Sequence, residues 1–572
     1  MRALGLTPLV IALAVGPAAC GSNGHVDRAG ASGNAGTAGT NAGTTASGGT
    51  AGTNADTAGS GGTGAVGGTS GEAGAAPFEH PTPPTDYVAT DHCGLDAPAF
   101  CETFEDGPRD GGRSGELDPA RFSVARGMPY NPSDLGGAFG IGPAIIGACR
   151  ANLADTRVLP DGDVLVCDPV PSIPTRHALA TTAAQNYGLS TYRIRQPFDF
   201  ADRTGTIALD VDLTNQGLGG WPALIVAEDP SPAPSFDWQE RGSGPRNGIE
   251  IEFGSGWCNT PQTMEPSVYL FQDYLQTAFV ASSDCSTPHV LTAPDSLNHV
   301  VVYLTRSHVE VWASDVSADG VTFPNLELLW SADVTLPFSR GYVSLALRNH
   351  ATMKYWYGSA ATVRFDNFGF DGPKVSGHRE YSAPDSLSDS SLPGCAPDGG
   401  ACEWEGDVIV SHPDDAGRMA CAATTCDFEG ATGRNVGYVV PNVDEDAPPV
   451  ALDFSGVDPT GSTQARLVLA AVYPAFDWNG VSHPPTYIDL RFRVNGGAWH
   501  DRYVSDAEAN AFIDFSPDLG GAGAGAGLLN QAIDLDVAEL VAGDNLIELQ
   551  AANTWTGSYR VAVTSADLTL DP

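Results

Sequence analysis

Between about residues 91 and 373 the hydrophobic positions fall into short runs, many with an apolar side chain at every second residue. TIALDVDL at 206, GIEIEF at 248, HVEVWAS at 308 and ATVRFDNFGF at 361 alternate, whereas WPALIVAE at 221, HVVVYLT at 299 and GYVSLAL at 341 are nearly continuous. Val, Ile, Tyr and Phe fill the runs, while Gly, Pro, Asp and Ser fill the gaps, and helical spacing is almost absent. Strand side chains alternate between two faces, so these runs predict strands buried on one or both sides. Many short strands at this spacing predict an antiparallel two-sheet sandwich. A second series, including VALDFSG, ARLVLAAVY, TYIDLRFRVNGG and SYRVAVTSADLTL, predicts another sandwich over 450–572. The polar stretch 374–449 reads as a disulfide-stapled connector or as the irregular start of the second domain. Residues 21–90, mostly Gly, Ala, Thr, Ser and Asn and then Pro-rich, have no apolar period and predict a disordered tether. The fold class is all-β, two antiparallel β-sandwich domains behind that tether.

Charge and cysteine usage narrow the setting. The 572 residues carry 28 basic and 69 acidic side chains, a net charge of −41. Such a polyanion repels phosphate backbones, and no basic stripe interrupts it, so nucleic acid is not an expected partner. Residues 1–20, MRALGLTPLVIALAVGPAAC, have one Arg, an apolar run and a small-residue end, the pattern of an export signal. The ending resembles a bacterial lipoprotein cleavage box with Cys20 as the lipid-bearing residue, although Pro17 stands where such boxes carry an aliphatic side chain. The expected place is the outer cell envelope or the medium, with membrane attachment by lipid anchor only. Ten further cysteines fall as sequence neighbours: Cys93 and Cys101, Cys149 and Cys167, Cys258 and Cys285, Cys395 and Cys402, Cys421 and Cys426. Local disulfides are the simplest pairing in an oxidising compartment.

The stretch NGIEIEFGSGWC sets Glu250 and Glu252 two residues apart between Ile249, Ile251 and Phe253. Retaining glycosidases use two carboxyl groups about 5 to 5.5 Å apart, and neighbours on one strand face are near that separation. The competing reading is a solvent-facing acid pair, because Asp210 with Asp212 and Asp534 with Asp536 repeat the pattern.

Two phrases carry a resemblance. FCETFEDG, from Phe100 to Gly107, resembles the first strand of concanavalin A-like lectin and glucanase domains, and VRFDNFGFDGP, from Val363 to Pro373, resembles their last. The resemblance implies that these strands lie side by side, and that a structural calcium joins them through Glu102 or Glu105 and Asp366. EIEF is similar to the opening of the glucanase motif of that class, but Gly254 and Ser255 stand where the motif has its third acid. In the second domain DVAELVAGDNLIELQA resembles a galactose-binding-like jelly-roll module, which implies an accessory carbohydrate-binding role.

Candidate contacts to sugar are His350, Lys354, Tyr355 and Trp356 in one cluster, and Trp478, Trp499 and Trp555 near expected loops, since aromatic rings cover the apolar faces of pyranoses. No organic cofactor is implied, and Ca2+ is the expected metal. The expected function is binding of a polysaccharide or cell-surface glycan. Alternatives are a glycoside hydrolase using Glu250 and Glu252, or a non-enzymatic adhesin.

Overall fold

A computed structural model describes residues 87–88, 93–109, 116–127, 144–145, 158–159, 164–169, 173–182, 188–212, 220–230, 245–255, 263–273, 275–280, 289–290, 297–315, 317–349, 361–383, 418–422, 425–429, 435–440, 443, 448–476, 487–504, 513–514, 525–551 and 561–572. Among the described residues strands dominate, with one 3-10 turn at Val537–Glu539.

The first sandwich has two antiparallel sheets. One runs, edge to edge, through Glu327–Asp333, His308–Ala313, Asn298–Leu304, Gly205–Asp212, Ala361–Asp371, His177–Thr182 and Val164–Cys167. The other runs through Leu275–Val280, Thr263–Gln272, Asn247–Ser255, Gly220–Ala227, Arg340–Asn349, Gly188–Ile194 and Phe122–Gly127. The inward positions of both form one core, in which Ile207, Leu209 and Val211 meet Ile249, Ile251, Phe253, Val343 and Leu345. Alternation survives intact in His308–Ala313, where Val309, Val311 and Ala313 enter the core and His308, Glu310 and Trp312 stay half-buried.

Pro98–Glu102 pairs antiparallel with Ala361–Asp371, so the first and last strands lie side by side as the two phrases imply. The last strand does not alternate strictly. Phe365, Phe368 and Phe370 are all in the core, a spacing of three and then two. A β-bulge resolves the mismatch: Asp366 pairs with Asp210 and Gly369 with Ala208, leaving Asn367 and Phe368 opposite Leu209. Asn367 takes the left-handed conformation at φ 47°, one that Asn tolerates better than most residues. Its Nδ2 donates to Asp210 Oδ2 at 2.6 Å. Gly369 is needed because a Cβ there would meet the carbonyl oxygen of Phe100 at 2.6 Å.

Asn367→Ala is therefore expected to destabilise the chain by about 2–4 kcal/mol, combining left-handed strain with a lost amide donor to a buried carboxylate. Asn367→Gly should recover about 1 kcal/mol by relieving the backbone alone. Chemical denaturation of the two variants checks this, and equal midpoints would refute the backbone contribution.

The second sandwich pairs one sheet, through Arg418–Ala422, Thr425–Glu429, Asn435–Val440, Val561–Asp571, Gln464–Phe476 and Gly525–Leu535, with another, through Val450–Val457, Gly543–Ala551, Tyr487–Val494 and His500–Val504. Arg379–Ser382 also pairs with Val561–Asp571. The stretch 374–449 thus supplies Arg379–Ser382, Arg418–Ala422, Thr425–Glu429 and Asn435–Val440 to the sheet that contains Val561–Asp571. In the Gly-x-Asn turn, Gly543 sits at φ 107°. The amide of buried Asn545 donates to Val541 O at 2.8 Å while its Oδ1 accepts from Val541 N at 2.9 Å.

Candidate functional site

Glu250 and Glu252 leave the core side of Asn247–Ser255 as alternation requires, but they do not reach solvent. Their exposures are 0% and 3%. The expectation of a solvent-facing pair is corrected: both side chains are buried. Across the strands, Glu250 is in register with Tyr269 on one side and Ile225 on the other, and the row continues through Ser344, Arg193 and Ser123. The next row contains Ser267, Glu252, Ala223, Ala346 and Thr191. Tyr269 Oη donates to Glu252 Oε2 at 3.0 Å. Both carboxylates are thus withdrawn from bulk solvent.

The far end of the same face is where the second sandwich docks. Arg193 Nη1 and Nη2 donate to Glu380 Oε2 and Oε1 at 2.8 and 2.5 Å. Arg195 donates to the same carboxylate and, through Nη2, to Ser382 Oγ at 2.6 Å. Asp567 accepts from Ser123 Oγ at 2.5 Å and from Ser382 Oγ at 2.7 Å. Tyr342 Oη donates to Asp571 Oδ2 at 3.3 Å, and Arg466 lies 3.5 Å from Asp229. The side chains of Arg193, Glu380 and Asp567 are 2–3% exposed, which makes this a buried ionic junction. Burial disfavours the Arg193 charge, yet Glu380 and Asp567 hold its pKa above the usual value. Burial also pushes the Tyr342 phenol well above its ordinary range. Burial opposes ionisation of Asp571, but His378, through its hydrogen bond and its charge, together with Arg466 and the Tyr342 hydroxyl, keeps the carboxyl below its usual value. Sequence reading passed over Arg193 and Arg195. Their one signal was two arginines at strand spacing in TYRIRQ, in a chain with only 28 cations.

The residues implied for calcium are each engaged separately. Glu102 pairs with Arg121 Nη1 at 2.9 Å and accepts from Phe104 N at 2.8 Å. Burial raises its pKa, against the pull of Arg121. Glu105 Oε1 accepts from Arg176 N at 3.0 Å. Asp366 uses one oxygen for Asn367 N and the other for Thr175 Oγ1, at 2.7 Å each. Burial, and then Asp210 beside it, raise the Asp366 pKa well above the usual range. Asp210 in turn meets His299 Nδ1 at 2.5 Å. Among the described residues no group of three or more His, Cys, Asp or Glu is spaced to hold a metal. These acids do not fit a shared calcium site.

Trp499 is half-buried, with the guanidinium carbons of Arg491 and Arg493 4.5 and 4.7 Å from its ring centroid. His350, Lys354, Tyr355, Trp356, Trp478 and Trp555 lie outside the described residues, as do Cys20, Cys149, Cys258, Cys285, Cys395 and Cys402. Cys93 and Cys101 form a disulfide as paired in the sequence. Cys167 is disulfide-bonded, and Cys421 and Cys426 are register partners across a hairpin.

No protein-family model matches the chain, and no curated protein matches it. Among solved structures the chain is similar to the carbohydrate-binding module CBM66 from Bacillus subtilis, at 12% identity over 34% of this chain and 86% of that one, TM-score 0.22. It is also similar to a legume lectin-like domain from Entamoeba histolytica, at 12% identity over 37% and 87%, TM-score 0.26. A third is a glycoside hydrolase family 16 endo-glucanase from Bacteroides ovatus, at 10% identity over 44% and 96%, TM-score 0.26. The all-β assignment rests on the sheet order and register given above.

Proposed function

We propose that this chain is an exported, surface-tethered protein that binds polysaccharide without cleaving it. The observation that carries the choice of binding over hydrolysis is the burial of Glu250 and Glu252 at 0% and 3% exposure. Three further features support the reading. The first and last strands adjoin as the lectin-type phrases imply. The Cys93–Cys101 disulfide suits an oxidising compartment. Trp499 keeps a partly open aromatic surface on the second sandwich. The galactose-binding-like role of the second domain belongs to this proposal only as what the sequence resemblance implies.

A glycan array with the tether-bearing chain, run beside a reducing-end assay on glucans and galactans, tests it. Binding without release of reducing ends is expected, and Glu252→Gln should leave the assay at background. Release that disappears in Glu252→Gln would establish the hydrolase instead. An array on which no glycan binds would favour the adhesin.

A further inference from the structure

The outer face of the smaller sheet of the second sandwich carries two arginines in matching positions but with different partners. Arg493 is in register with Glu548, and the two form a fork-to-fork pair, Nε to Oε2 at 2.6 Å and Nη2 to Oε1 at 2.7 Å. Arg491, two residues earlier on the same face, is in register with the neutral Gln550. On its other side it is in register with Asp501, which is exposed and makes no ion pair with it. Arg491 Nε is buried with no hydrogen-bond partner, although its residue is only half-buried. The guanidinium rests on Trp499. Among the described residues no carboxylate pairs with Arg491, in a chain of net charge −41.

Stacking on an indole fixes the plane of a guanidinium and leaves its N–H edges for an acceptor in that plane. A carboxylate matches that geometry bidentately, and Glu548 on Arg493 shows the match in the adjacent position. Resting on the glycan-binding reading, we propose that Arg491, held by Trp499 beside the Gln550 amide, binds the carboxylate of an acidic sugar. Net charge restricts the ligand further. A polyuronate would meet the repulsion of the whole surface, whereas an isolated carboxylate on a neutral chain presents one charge within a screening length of about 8 Å. The ligand class is a neutral polysaccharide with sparse uronic-acid substituents.

The test is affinity electrophoresis of the full chain in glucuronoxylan and in the same xylan after its carboxyl groups are reduced to alcohols, with polygalacturonate as a third gel. Glucuronoxylan is expected to bind about tenfold more tightly than the reduced polymer, and both to bind more tightly than polygalacturonate. Arg491→Gln should close the gap between the two xylans. Arg491→Lys, which keeps the charge but not the planar fork, should restore only part of it. Unchanged unfolding midpoints would show that both variants fold. Equal binding to the two xylans, or a gap that survives in Arg491→Gln, overturns the proposal. If neutral glycans bind while that gap is absent, polysaccharide binding stands and the acidic subsite falls. Failure to bind any glycan removes both.

Discussion

Arg193→Ala is expected to destabilise the junction between the two sandwiches by about 3–5 kcal/mol, the usual cost of removing one partner of a buried ion pair. Glu380 would keep Arg195 as a donor but lose both bonds from Arg193, and Asp567 would lose a cation 3.6 Å away. Two carboxylates would then share one guanidinium at a site closed to water. The expected result in guanidinium chloride is a single transition in the parent chain and two in the variant, because the sandwiches would no longer unfold together. Arg193→Ala with Glu380→Ala should cost less than the sum of the single changes, since the second removes the charge that the first strands. A single transition displaced by less than about 1 kcal/mol in Arg193→Ala would show that the ionic network adds little and that docking rests on shape.

Phe365→Ala is expected to cost a further class of stability, about 3–5 kcal/mol, by opening a cavity in the first core. Phe365 is fully buried and touches Phe104, Tyr192 and Phe368, with ring centroids 5.5, 6.1 and 6.3 Å away. It lies on the last strand, whose neighbours are His177–Thr182 and Gly205–Asp212, so relaxation there would disturb the centre of a sheet. Phe365→Leu should recover more than half of the loss because it fills most of the volume. Thermal unfolding followed by near-ultraviolet circular dichroism gives the comparison. Phe365→Ala and Phe365→Leu with equal midpoints would mean that the aromatic cluster is not tightly packed.

Much of the first sandwich was legible from local pattern. Each of the runs at 206, 221, 248, 299, 308, 341 and 361 is a strand, because the alternation of faces is a property of the strand itself. The pairing of the strands at 100 and 363 came from the resemblance of those phrases to a known family, not from local pattern. The bulge at Asn367 was not legible. Its sign, three phenylalanines at an irregular interval, becomes interpretable only once Asp210 and Asp366 are known to oppose one another. The stretch 374–449 read either as a connector or as the irregular start of the second domain, and its polar composition could not choose, because strand pairing uses backbone groups that composition does not display.

The acid pair shows where sequence stops. Periodicity placed Glu250 and Glu252 on the side away from the core, and that placement is correct. It could not say what lies on that side. Whether an outward position meets water or protein depends on segments distant in sequence; elsewhere on the same face, Arg379–Ser382 and Val561–Asp571 dock at Arg193 and Ser123. The sequence by itself determined the all-β class, the two sandwich-forming regions and the polarity of each strand, since these follow from side-chain alternation and from what a chain segment can bury. The tertiary structure alone decided that the acid pair is buried, that two arginines are committed to a domain junction, and that among the described residues no carboxylate pairs with Arg491 as Glu548 does with Arg493. Those outcomes depend on which strands become neighbours, and neighbours across a sheet or a domain boundary are set by the whole packed chain.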